Sequence, residues 1–251
     1  MLDSGYDPTH PDLAGKVKAA ASFTGTPDTT DRVGHGTHVA ATIAGRGTAG
    51  QPGGRGVAPG AQLLIGKVLG DNGSGDLSWT IAGMEWAVQQ GADVVNLSLG
   101  APAGEGPDPV TEALDALSAS SGTLFVVSAG NSGPGRQTLN TPGTADRALT
   151  VGAVDDANRI ADFSSRGPRL GDGAVKPEVT APGVGIVAAR AAGTTLGEVV
   201  DANYTAMSGT SMAAPHVAGA AALLAQRHPD WTAEQLKAAL VSSADEARDV
   251  P

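Results

Sequence analysis

Hydrolysis of an amide near neutral pH needs an activated nucleophile, a proton shuttle and a donor for the developing oxyanion. The chain holds no cysteine, so serine is the leading nucleophile. The richest serine context is Tyr204-Thr205-Ala206-Met207-Ser208-Gly209-Thr210-Ser211-Met212-Ala213-Ala214-Pro215-His216. Ser211 stands where a glycine-bearing turn runs into a helix, whose first N–H groups and partial positive charge favour a nascent anion. Gly209 lets a substrate backbone come close. Gly34-His35-Gly36-Thr37-His38-Val39-Ala40 is a second glycine turn entering a helix. Histidine is the side chain whose ordinary pKa suits a shuttle at physiological pH. Leu2-Asp3-Ser4-Gly5 sets an acid at the end of a strand stub, where a buried carboxylate could hold the imidazole tautomer. Ser128-Ala129-Gly130-Asn131-Ser132-Gly133 follows an apolar run and offers an amide donor on a loop, as an oxyanion hole requires.

Each of these residues has a plainer role to set beside the chemical one. Ser211 could cap a helix, His35 could be a solvated loop histidine, Asp3 a turn former, and Asn131 a left-handed turn residue. His35 and His38 are spaced i, i+3 with no intervening glutamate. That differs from the i, i+4 zinc-peptidase pattern and argues against a metal pair. His38 and His216 read as structural helix residues.

The elements that must position these groups alternate between short apolar runs and helical stretches. Residues 62–68, 93–97, 124–129 and 148–154 read as strands. Residues 77–90, with Ile81, Met84 and Val88 on one face, and 110–120 read as helices. Residues 211–226 form an Ala-rich helix, and Thr232 opens a last one, with Gln235 placed for a capping box. The pattern predicts right-handed βαβ crossovers, and hence an α/β fold whose mostly parallel central sheet is covered on both faces, a three-layer α/β/α sandwich. The strands are apolar throughout, as such burial demands, and ligands of such sheets bind at the carboxyl ends of the strands. No internal repeat or low-complexity linker divides the 251 residues, so a single domain over 1–251 is expected.

The formal net charge is −10, and no basic cluster interrupts it. Nucleic acid and anionic membrane are therefore not expected partners. No apolar run approaches the roughly 18 residues needed to span a bilayer, and no leader precedes Asp3.

Taken in order, Asp-Ser-Gly, Gly-His-Gly-Thr-His and Gly-Thr-Ser-Met-Ala-x-Pro resemble the acid, base and nucleophile motifs of the subtilisin-like serine peptidases. Asn96-Leu97-Ser98-Leu99-Gly100, Phe163-Ser164-Ser165 and Thr180-Ala181-Pro182-Gly183 add to the likeness, which covers nearly the whole chain. The resemblance implies a serine endopeptidase working through an acyl-enzyme, with Asp3, His35 and Ser211 as the triad. Asn131 would join the Ser211 N–H in the oxyanion hole. Ser98, Leu99 and Gly100 would form a strand edge that pairs with extended substrate, and Ala129 and Gly130 would also contact it. Asn140 would lie near the base of the main specificity pocket. No cofactor is required for the chemistry, polypeptides are the expected substrates, and an inhibitory pro-segment outside this chain is implied. A secreted monomer is expected by kinship.

Structural calcium is a family feature, and Asp12 matches one of its ligands. The loop 45–56 that usually supplies others has no Asp, Asn or Glu, so that site is expected to be lost. The family reaches Asp-Ser-Gly through a longer apolar strand, whereas Met1 and Leu2 stand alone here. The chain thus reads as truncated at its N-terminus, with Asp3 expected to be weakly anchored. The competing reading is an inert fragment or binding domain that keeps the fold. An α/β-hydrolase is excluded because Met212 and Ala213 follow Ser211 in place of the nucleophile elbow. A serine-carboxyl peptidase would need a glutamate base where His35 stands.

Overall fold

In the computed structural model, which describes residues 1–48, 54–104 and 108–248, the elements run in the following order. The first are β1 (Leu2–Asp3), β2 (Val17–Ser22), α1 (His35–Ala44), β3 (Leu63–Lys67), α2 (Leu77–Gln89) and β4 (Val94–Leu97). Then come β5 (Ala101–Pro102), α3 (Pro109–Ser121), β6 (Leu124–Ser128), β7 (Asn140–Thr141), β8 (Leu149–Val154) and β9 (Val179–Pro182). The last are β10 (Ile186–Ala189), β11 (Glu198–Val199), β12 (Tyr204–Met207), α4 (Thr210–Arg227) and α5 (Ala233–Ser242). They gather into two compact units, each stitched from two stretches of chain: Met1–Ala92 with Gly185–Met207, and Asp93–Val184 with Ser208–Pro251.

In the first unit β3 is flanked by β2 and β1, all parallel, with Leu2 opposite Gly66 and Asp3 opposite Lys67. Short as it is, β1 is pinned. Gly66 N donates to Met1 O at 3.0 Å, Val68 N donates to Asp3 O at 2.9 Å, and Leu2 is wholly buried. Gly66 makes the room, since a Cβ there would run into the Leu2 side chain, while a Cβ on Gly83 would strike Val68 beside it. The expected weak anchoring of Asp3 is therefore corrected: its backbone is laddered and its side chain fully buried. α2 packs on β3 and β1, while α1 packs on β1, β10 and a 3-10 turn at Pro11–Leu13. An antiparallel sheet ordered β10-β12-β11 completes the unit, and His38 Nε2 reaches Ile186 O at 2.8 Å. His38 is thus a buried structural contact, as its sequence suggested.

The second unit holds β4, β6, β8 and β9 side by side and parallel. Every residue of β6 and β8 is buried, which is why their sequences do not alternate. α4 packs along all four strands, α3 and α5 lie on β6, and α5 also touches α4. α3 starts on an Asp108–Thr111 capping box and α5 on Thr232–Gln235, the latter as the sequence indicates. β5 and β7 make a small antiparallel ladder. α4 opens one residue before the expected Ser211, with Gly209 as its cap.

Candidate functional site

Asp3 ends β1 with its carboxylate fully buried. Its Oδ1 accepts from Ser4 N at 2.7 Å and faces His35 Nδ1 at 2.8 Å. An ionised carboxylate only accepts, so Nδ1 carries the hydrogen and Nε2 is left as the basic nitrogen. The imidazole keeps 20% of its side-chain surface exposed. Burial is the largest influence on its pKa and pulls it down. The charge and hydrogen bond of Asp3, with the charge of Asp31, outweigh burial and raise it above the ordinary histidine value.

Two glycines allow this approach. Gly34, the α1 cap, has φ 97°, and a Cβ there would strike Thr194. A Cβ on Gly36 would collide with the Gly5 carbonyl. The start of α1 and the turn after β1 therefore touch backbone to backbone, which brings acid and base within hydrogen-bond reach.

Ser211 is the second residue of α4, so it is not the helix cap. Its Oγ donates to Ser98 O at 3.1 Å, and Ser98 Oγ donates back to Ser211 O at 2.7 Å. The second bond exists because Pro215 has no N–H: the Ser211 carbonyl, which residue 215 would otherwise take in the helix ladder, is free for Ser98. Asn131 Oδ1 accepts from Thr210 N at 2.9 Å and Thr210 Oγ1 at 3.0 Å, and Gly130 N donates to Thr210 Oγ1 at 3.1 Å. With Oδ1 fixed in this way, Nδ2 is the face Asn131 offers outward. The left-handed residue of this turn is Gly130 (φ 108°), not Asn131.

Ser98, Leu99 and Gly100 lie between β4 and β5 with no strand assignment of their own. Ala129 and Gly130 follow β6, and Ala129 O accepts from Asn140 N at 2.9 Å. The Asn140 side chain sits where a Cβ on Gly130 would fall, and its Oδ1 is buried without a hydrogen-bond partner among the described residues. Asp3 and His35 belong to the first unit; Ser98, Asn131, Asn140 and Ser211 belong to the second.

Asp12 is fully buried, and its oxygens face hydrogens. Tyr204 Oη donates to Oδ2 at 2.6 Å, while Thr48 N and Thr48 Oγ1 donate to Oδ1 at 2.6 and 2.8 Å. Calcium needs six to eight oxygens that turn lone pairs towards it, and these donors do the opposite. The residues at Asp12 do not fit that ion. Among the described residues no group of three or more acidic, histidine or cysteine side chains could hold a metal. Residues 49–53 of the loop 45–56 lie outside the described residues.

Ser4, Asp31, Thr210 and Pro215 were not singled out from sequence as functional. Thr210 and Pro215 stood inside the serine motif, and Asp31 stands four residues before His35; only their partners reveal what they hold.

The model of the subtilase family, peptidases of class S8, matches residues 1–250. The chain is 38% identical to the serine protease AprX of Bacillus subtilis, covering 99% of this chain and 61% of that protein. It is 42% identical to a subtilisin of Bacillus pumilus, covering 97% of this chain and 82% of that protein. It spans about three-fifths of the length of AprX and of subtilisin E. Among solved structures, sphericase matches with a TM-score of 0.85 at 35% identity, covering 97% of this chain and 81% of that one. A cold-adapted subtilisin-like serine proteinase matches with a TM-score of 0.80 at 32% identity, covering 98% and 81%. These likenesses show the expected α/β sandwich with a mostly parallel central sheet. From its first residues to its last, the chain belongs to the subtilase family.

Proposed function

We propose that this chain is a serine endopeptidase in which Ser211 is the nucleophile, His35 the general base and acid, Asp3 its orienting carboxylate, and Asn131 an oxyanion donor. The observation that carries the reading is the 2.8 Å contact between His35 Nδ1 and the buried Asp3 carboxylate. That contact fixes the tautomer whose Nε2 can take a proton.

Ser211 Oγ adds to the scissile carbonyl as its proton passes to His35 Nε2. Asp3 stabilises the imidazolium without taking the proton. The new oxyanion is held by Asn131 Nδ2 and by the Ser211 N–H at the mouth of α4. His35 then protonates the departing amine, the acyl-enzyme remains, and water repeats the sequence in reverse roles. The substrate is an extended polypeptide lying along Ser98 to Gly100, with Ala129, Gly130 and Asn140 beside the residue that is cut. Kinship extends the proposal to an extracellular place of action, a monomer and an inhibitory pro-segment. No cofactor enters the chemistry.

Labelling with a fluorophosphonate serine probe tests this. The wild type should label and cleave a peptide substrate, and Ser211→Ala and His35→Ala should do neither. A folded wild type that takes no label would leave the inert-fragment reading standing.

A further inference from the structure

Behind the base lies a second buried carboxylate that the mechanism above does not use. Asp31 is 2% exposed, and five donors converge on it. Ser4 Oγ (2.9 Å), Val33 N (3.1 Å) and Gly34 N (2.8 Å) reach Oδ1; Thr37 N (2.8 Å) and Thr37 Oγ1 (2.7 Å) reach Oδ2. The three N–H groups belong to the segment that enters and begins α1, so Asp31 caps the helix on which His35 stands.

The Ser4 hydroxyl joins this acid to the one on β1. It accepts from Gly36 N at 2.9 Å and has one proton to give, with Asp31 Oδ1 at 2.9 Å and Asp3 Oδ1 at 3.2 Å. The shorter contact goes to Asp31. Asp3 Oδ1 is then left to Ser4 N and His35 Nδ1, and Asp3 Oδ2 has no partner among the described residues.

We propose that Asp31 is a positioning residue for the His35 base: it fixes the start of α1, draws the Ser4 proton away from Asp3, and adds a second negative charge that favours the imidazolium. The proposal rests on the triad reading above and deepens it. The titratable groups around this corner are Asp3 on β1, Asp7, whose N–H donates to Thr37 Oγ1 at 3.0 Å, His38 on α1, and Lys67 at the end of β3. Lys67 Nζ donates to Ser4 O at 2.7 Å and Thr30 O at 3.0 Å and pairs with Asp71 at 2.9 Å, so it is committed to the backbone beside Ser4. Asp3 and Asp31 are the charges that act on His35.

If Asp31 becomes neutral, its charge is lost and the Ser4 proton is free to turn to Asp3. Both changes make His35 a weaker base. The test titrates His35 by NMR in Ser211→Ala chains and, in parallel, follows fluorophosphonate labelling against pH in chains that keep Ser211. Asp31→Asn should move the His35 midpoint and the acid limb of labelling together to lower pH. The plateau rate should drop by up to about a hundredfold from the loosened base. Ser4→Ala keeps the charge and removes the competing donor, so its midpoint should stay at or above the wild-type value.

A folded Asp31→Asn chain with an unmoved midpoint and a uniform loss of rate would reduce Asp31 to a helix cap and overturn the proposal. So would a midpoint that falls in Ser4→Ala, a result that stands even if Asp31→Asn does not fold. An unlabelled wild type would instead sink the peptidase reading, and the NMR midpoints would still decide the role of Asp31.

Discussion

Tyr204→Phe removes the bond that stands where the family's calcium ligand would be. Tyr204 is fully buried and lies edge-on to His10, ring centroids 5.9 Å apart, and phenylalanine keeps that packing. The change takes away the 2.6 Å bond to Asp12 Oδ2, on a carboxylate that has no exposed surface. A hydrogen bond to a charged group contributes about 1.5–3 kcal/mol, and leaving the acceptor buried and unpaired puts the loss towards the upper end. For a chain of this size each kcal/mol lowers the melting temperature by about 2–4 °C, so a drop of roughly 4–10 °C is expected. The assay is thermal unfolding by circular dichroism at one fixed scan rate, in calcium and in chelator. The drop should be equal in both. Burial, the largest influence on the Asp12 pKa, pushes it up, but the bonds from Tyr204 and Thr48 outweigh it and hold it below the usual carboxylate range. Its contribution is therefore complete above the unfolded value near 3.9 and is lost as pH falls through the lower folded value. The gap between wild type and variant should be full at pH 7 and close in strong acid. Recovery of the wild-type melting temperature by calcium would show that Asp12 binds the ion after all.

Four other perturbations probe different parts of the molecule. Asn131→Ala should lower kcat about a hundred- to a thousandfold with KM little changed, a magnitude taken from subtilisin itself, and an unchanged kcat in peptide hydrolysis would remove Asn131 from the oxyanion hole. Gly36→Ala should abolish labelling and lower stability, because its methyl group lands on the Gly5 carbonyl; a variant that melts and labels like the wild type would contradict that close approach. Hydrolysis should rise with pH along a limb centred above the ordinary histidine value of about 6.5, since Asp3 and Asp31 raise the His35 pKa; a profile peaking near pH 3–4 would exclude a histidine base. Burial lowers the Lys176 pKa to about 8. Its charged form therefore costs stability at neutral pH, a cost relieved as pH climbs from about 8 towards the unfolded value near 10.4. Lys176→Met should flatten that part of the stability curve in denaturant titrations, with Glu178 still paired to Lys237 at 2.7 Å.

The elements legible in the sequence were those with a strong local signature. The continuous apolar runs of β6 and β8, the span of α2 and the Thr232–Gln235 box all appear within a residue or two of where composition and spacing put them, but α2 buries Thr80, Gly83, Met84 and Ala87, leaving Ile81 and Val88 of the expected face half-buried. β10, β11 and β12 were not read out, because short strands of an antiparallel sheet depend on partners distant in sequence. The two-residue β1 was legible only as a stub, and its stability comes from Gly66 and Val68, which no local pattern links to it. The residues that could do chemistry stood out by type and flanking glycines. Those that hold them did not: an aspartate in a polar loop looks the same whether it faces water or, like Asp31, gathers five donors.

Unit one is interrupted. Its β10 to β12 lie beyond residue 184, although α1 packs on β10 and His38 leans on Ile186. The shelf beneath α1 therefore cannot be complete until more than 90 intervening residues, 93–184, have been made and the chain has come back. Closing so long a loop is entropically slow, and contacts of that separation form late in folding. A nascent chain that ends anywhere inside that insertion carries Asp3 and His35 without their floor, and without Ser211. In the order of synthesis, the packing of α1 on β10 thus comes only after the whole of residues 93–184.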